Sequence, residues 1–142
     1  LISKLMTRSD FGVFCSIDHP LLEIDRCITS KDLEAYPWML NINAPEITPH
    51  YPRMVKGPVL EKNKLKIVAI DSLHMGKELV VNSDCLCHTP QIAMAVELAK
   101  GKVKQLDVPI KRLTTDVMAL RHRDIRSPLL DRTFALAEQC FN

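Results

Sequence analysis

The stretch NSDCLCHTP, from Asn82 to Pro90, brings together the side chains most capable of chemistry in this chain. Thiols and an imidazole can ligate zinc, form a disulfide, or act as a nucleophile and its base. The spacing argues against all three. In an extended strand alternate residues share a face, so Cys85 and Cys87 point one way and His88 the other. A tetrahedral zinc needs four convergent ligands, and no Cys-x-x-Cys or paired histidine nearby completes a set. Same-face strand neighbours are poorly placed for an intrachain disulfide, and Cys87 and His88 on opposite faces do not meet as nucleophile and base. The two cysteines are therefore expected to be small buried hydrophobes, with redox sensing by Cys85 or Cys87 as the alternative.

The end of the same run carries a different kind of chemistry. Thr89-Pro90 has the form of a helix N-cap followed by a first-turn proline, and Asp71-Ser72 is a natural N-cap pair after the strand-like LKIVAI. Helix amino ends offer unpaired N–H groups and the positive end of the dipole, which favour an anion. Two such ends would hold a small carboxylate or phosphate, with Asp71 beside the first end, the Ser72 and Thr89 hydroxyls as donors, and His88 as a charge partner. The residues leave a second reading open, in which each hydroxyl only caps its own helix. Asn43, with His50 and Tyr51, follows the strand WMLNI and is either another wall of the cleft or part of a plain connection. Arg121, His122, Arg123 and Arg126 form a basic cluster that reads either as an attractor of DNA or effector or as a solvated turn.

The elements that must position these residues alternate. A β-rich run from Asp10 to Ile17 stops at His19-Pro20, and Thr29 opens a short helix over 31–36 in capping-box form, before a strand over 38–42. The proline-rich 43–58 reads as loop. LKIVAI (65–70) is apolar enough for a strand buried on both faces. A helix over 73–81 with Gly76, Leu79 and Val80 inward follows, then a short strand over 85–88. The next helix would bury Ile92, Ala95, Val96 and Ala99 and stop at Gly101 in the left-handed conformation. Two strands, 103–108 and 115–120, precede a last amphipathic helix opened by Ser127-Pro128, with Leu130, Phe134, Ala137 and Phe141 on one face. The rhythm predicts an α/β sandwich around a largely parallel sheet, with the ligand crevice at the carboxyl ends of the strands.

A length of 142 residues with 46% hydrophobic and 25% charged content suits one compact soluble domain. Nineteen Lys and Arg against seventeen Asp and Glu leave a net charge of only +2, too weak a field for this chain to grip DNA by itself. Five cysteines at irregular spacing make no disulfide framework and favour a reducing, cytoplasmic setting. Neither an apolar run of membrane-spanning length nor an export signal is visible. Four glycines are too few for most catalytic glycine loops, and neither a Gly-x-Ser-x-Gly elbow nor an HExxH helix occurs, so binding rather than catalysis is expected, with no cofactor and no metal. An opening on Leu1, with no cap or turn signal in LISKLM, predicts that the sequence starts inside a larger protein.

In order and spacing, several landmarks resemble the effector-binding domain of LysR-type transcriptional regulators. They are His19-Pro20-Leu21 after a strand, Asp32-Leu33 with Pro37-Trp38, Asp71-Ser72, Thr89-Pro90, Leu98-Ala99-Lys100-Gly101-Lys102-Val103 leading to Leu106, and Arg126-Ser127-Pro128. Where the family usually has a glycine-rich turn, this chain has Asn82-Ser83-Asp84-Cys85, with Asn82 able to adopt the left-handed conformation. The resemblance implies a type II periplasmic-binding-protein-like α/β fold across residues 1–142. Subdomain II would be complete at about 21–114, and 1–20 and 115–142 would be the C-terminal part of subdomain I, with the helix-turn-helix absent. It further implies a small-molecule effector, a carboxylate or other anion, bound by Asp71, Ser72, His88, Thr89 and Asn43 near these turns. Also implied are a dimer or tetramer, DNA contact only through the absent N-terminal domain, and no membrane. A solute-binding protein of the periplasmic type shares the fold and is the alternative.

Overall fold

The computed structural model describes residues 1–41, 66–108, 113–125 and 127–141. The chain divides into two units, Phe11–Arg112 on one hand and Leu1–Asp10 with Leu113–Asn142 on the other. Strand β1 (Ile2–Ser16) lends its first part to the smaller unit and its second part to the larger. No helix among the described residues is long and apolar enough to cross a membrane.

In the larger unit the elements are the second part of β1, a 3-10 turn (Pro20–Glu23), α1 (Ser30–Glu34), β2 (Pro37–Asn41), β3 (Lys66–Ile70), α2 (Leu73–Val81), β4 (Leu86–Pro90), a 3-10 turn (Gln91–Met94), α3 (Ala95–Ala99) and β5 (Val103–Leu106). Strand order is β3-β2-β4-β1-β5. β2 runs parallel to both β3 and β4, whereas β1 pairs antiparallel with β4 and β5. The sheet is therefore mixed, not largely parallel.

Strand alternation sorts side chains into two cores. Val13, Cys15, Trp38, Leu86 and Leu106 face one side and pack with Leu21 and Leu33. Phe14, Met39, Cys85, Cys87 and Val103 face the other and pack with Val80 and Met94. The NSDCLCHTP stretch follows this rule: Leu86 enters one core and both cysteines the other. Burial raises the thiols of Cys15 and Cys85 to about 11, and that of Cys87 still higher. A protonated, enclosed thiol is inert, which is what a packing role requires.

Several expectations change. β3 is an edge strand and exposed along most of its length, with Ile67 and Val68 at the surface, because only β2 pairs with it among the described strands. The stripe Ile92, Ala95, Val96, Ala99 is not buried: the chain after β4 first makes a 3-10 turn, which rotates the phase so that Met94 enters the core and Leu98 follows partly. Asn82 does not adopt a left-handed conformation (φ −109°). Side chains close that turn instead, with Asn82 Nδ2 donating to the Glu78 carbonyl (2.8 Å) and Ser83 Oγ to that of Leu79 (2.6 Å). Gly101 (φ 65°) is the left-handed stop, and Lys102 N–H returns to the Glu97 carbonyl at 2.9 Å.

Two short polar clusters lock this unit's loops. His19 is buried; its Nδ1 accepts from Leu21 N–H (3.0 Å), so Nε2 carries the proton and donates to the Asp84 carbonyl (3.2 Å). At the start of α1, Asp32 accepts from Thr29 N–H (2.7 Å) and from both Arg26 nitrogens (2.7 and 2.8 Å), which holds its carboxyl well below the usual carboxylate range.

In the smaller unit, Ile2 to Asp10 of β1 pair antiparallel with β6 (Thr114–Arg121), Ile2 opposite Arg121 and Asp10 opposite Thr114. Helix α4 (Pro128–Phe141) turns Leu130, Phe134 and Ala137 to its half-buried side, while Phe141 is exposed. Arg121 pairs with Asp131 and lies over the Phe134 ring (5.4 Å to its centre), and His122 sits 3.5 Å from Asp124. Arg126 is outside the described residues, so the basic cluster is represented by Arg121, His122 and Arg123 only.

Candidate functional site

The larger unit contains a cleft of about 210 Å³. Its lining comes from the carboxyl end of β2 (Met39, Leu40, Asn41), the carboxyl end of β4 (His88, Thr89, Pro90), the first residue of α2 (Leu73), and Ala93 of the following 3-10 turn. The position follows from topology. β2 and β4 are neighbours, and the chain continues from β2 to β3 on one side of the pair and from β4 through α3 to β5 on the other. Connections that depart to opposite sides leave a gap at the carboxyl ends of the adjacent strands, which is where open α/β sheets bind ligands.

Within the cleft, Thr89 is buried and its hydroxyl makes no hydrogen bond to any of the described residues. His88 lies half-buried against Phe11, ring centres 5.1 Å apart, and its Nδ1 is enclosed without a partner. Burial lowers the His88 pKa to about 4, so the ring is neutral at physiological pH. It is not the charge partner expected from sequence. Thr89 is not a helix cap either: it pairs with Gly12 inside the sheet, and the helical turn begins two residues later, with Pro90 in the cap position and no side-chain cap bond.

Ser72 does cap a helix. Its Oγ accepts from Met75 N–H (3.4 Å) at the start of α2, which satisfies one first-turn amide; those of Leu73 and His74 have no intrahelical acceptor. Asp71 is exposed at the end of β3. The lining takes Leu73 rather than Asp71 or Ser72, so the site has one helix amino end at its mouth instead of two. Asn43, His50 and Tyr51 lie outside the described residues; Asn41, two positions before Asn43, lines the cleft. Met39, Leu40, Leu73 and Ala93 were not legible as site residues, because only the order of the strands shows that their ends meet. Among the described residues no group of three or more His, Cys, Asp or Glu is placed to hold a metal ion.

The LysR substrate binding domain family matches residues 1–140. No curated protein sequence matches the chain significantly. Among solved structures, the effector binding domain of AmpR from Citrobacter freundii superposes with a TM-score of 0.70 at 12% identity, covering 99% of this chain and 67% of that one. The OxyR2 regulatory domain from Vibrio vulnificus gives 0.63 at 21% identity, covering 97% and 64%. Full-length LysG from Corynebacterium glutamicum, with bound effector arginine, gives 0.61 at 16% identity, covering 97% of this chain but 45% of that one. The chain thus spans less than half of the full-length LysG. The shared fold is type II periplasmic-binding-protein-like, as the order of sequence landmarks implied. With 140 of its 142 residues covered by the family pattern, the chain belongs to the LysR substrate binding domain family.

Proposed function

We propose that this chain is the effector-sensing part of a cytoplasmic LysR-type transcriptional regulator and that its small, anionic effector binds at the cleft between β2 and β4. The observation that carries the reading is that cleft: a concavity at the switch point of the sheet, with the buried Thr89, whose hydroxyl has no partner among the described residues, on its wall and Leu73, the first residue of α2, on its rim. An acid group at the amino end of α2 would meet the Leu73 and His74 amides, which have no intrahelical acceptor, and the positive end of the helix dipole. In the AmpR, OxyR2 and LysG structures the same fold belongs to effector-binding or regulatory domains and to a full-length regulator with a bound effector. The larger unit serves as subdomain II, and the smaller one as the C-terminal part of subdomain I.

The mechanism is population shift. A ligand that binds one conformation of the domain more tightly moves the equilibrium towards it by its differential affinity, and so alters a dimer or tetramer and, through it, DNA contacts made by residues outside this chain. No chemical step is involved.

Trp38, the single tryptophan, is buried next to Met39 in β2 and reports on the strand that ends at the cleft. Titrating small carboxylates while following Trp38 emission and melting temperature tests the reading. Saturable changes that weaken in Thr89→Val support it; a folded protein that responds to none of them, with Thr89→Val and Ser72→Ala equally silent, contradicts it.

A further inference from the structure

We propose that the cleft selects its ligand by an uncharged, apolar segment, a short alkyl chain or a single ring, which enters between β2 and β4 while the acidic group stays at the amino end of α2. The inference rests on the effector reading above and narrows the class of ligand. Of the described lining residues, Met39, Leu40, Leu73, Pro90 and Ala93 are apolar. The other three are Asn41, His88 and Thr89, so among the described residues none of the lining side chains is a lysine, arginine, aspartate or glutamate. His88 adds no charge, since burial keeps its ring neutral. A carboxylate placed between these walls would lose its hydration without a cationic partner among the described residues, whereas methylenes placed there leave water for apolar contact.

Size points the same way. A dry apolar cavity of about 150 Å³ already accepts a six-carbon ring, and this cleft measures about 210 Å³. The side chains of Thr89 and Asn41 are the polar groups of the described lining that a substituent on such a segment would meet.

The test is a titration of the full chain with straight-chain carboxylates from acetate to hexanoate, and with succinate as a same-length diacid for butyrate, by calorimetry or Trp38 emission. The expected result is a dissociation constant that tightens about fourfold per methylene and levels off by hexanoate, with succinate far weaker than butyrate. In Ala93→Leu, checked for an unchanged melting profile, the added side chain fills the cleft and the tightening stops at a shorter acid. A flat series, with acetate and succinate as tight as hexanoate, overturns the selectivity and leaves the effector reading standing. Saturable binding by none of these acids overturns both.

Discussion

The imidazole of His88 lies against the ring of Phe11, their centres 5.1 Å apart and their planes inclined by 30°, and its Nδ1 is enclosed without a hydrogen-bond partner. The pair joins β4 to β1 diagonally, two residues out of register, since Phe11 stands opposite Pro90 and His88 opposite Val13. His88 also lines the cleft.

This contact predicts a pH dependence. The folded-state pKa of His88 is lowered to about 4 from an ordinary 6.5, so between those values the unfolded chain binds the extra proton and the native one does not. Stability is fully present above about pH 6.5 and is lost as pH falls towards 4, by on the order of 3 kcal/mol. Burial displaces His19 in the same direction, so the parent protein carries both contributions. Urea midpoints measured across this window should fall with pH, and the fall should be shallower in His88→Gln, whose side chain does not titrate. An identical slope in the two proteins contradicts the assignment.

The thiols should divide two and three. Cys27 and Cys140 are exposed, while Cys15, Cys85 and Cys87 are buried. Native protein treated with an aromatic disulfide reagent should release two equivalents quickly, and three more only on unfolding. Mild peroxide should leave the buried three unmodified by mass spectrometry. Fast reaction at Cys85 or Cys87 would restore the redox-sensor alternative.

Gly12 is fixed by space rather than by backbone angle. A Cβ there would come within 2.8 Å of the Gln105 side chain and 2.9 Å of Cζ of the fully buried Phe14. Gln105 can move aside but Phe14 cannot, so Gly12→Ala should destabilise by about 1–3 kcal/mol. Equilibrium unfolding measures this, and a neutral result would mean that β1 and β5 separate more readily than their register indicates.

Thr89→Val separates binding from folding. The hydroxyl has no partner among the described residues and valine has nearly the same shape, so stability should stay within about 0.5 kcal/mol of the parent. Affinity for the effector should drop roughly tenfold if the hydroxyl donates to it. A large loss of stability would show that the hydroxyl serves the fold instead.

How far the sequence carried depended on the range of each interaction. Local signals were reliable: the helix opened by Ser72, the left-handed Gly101, the strand alternation that buries Cys85 and Cys87, and the helix after Ser127-Pro128 are each decided within a few residues. Signals that depend on neighbours in space failed. LKIVAI reads as a central strand but lies at an edge, and Thr89-Pro90 reads as cap and first turn but belongs to the sheet, because pairing with Phe11 and Gly12 overrides the local preference. The same holds for the site. Thr89 and His88 were legible as strand-end residues, whereas His88's neutrality depends on what surrounds it. Met39 and Leu73 became site residues only once β2 was placed between β3 and β4.

The most direct measurement is a backbone amide NMR titration of the protein with pentanoate. The account predicts that the signals of Asn41, Leu73, His88, Thr89 and Ala93 move together along one saturable isotherm, ahead of those in β5 or α4. Shifts centred elsewhere, with these five unmoved, would contradict it.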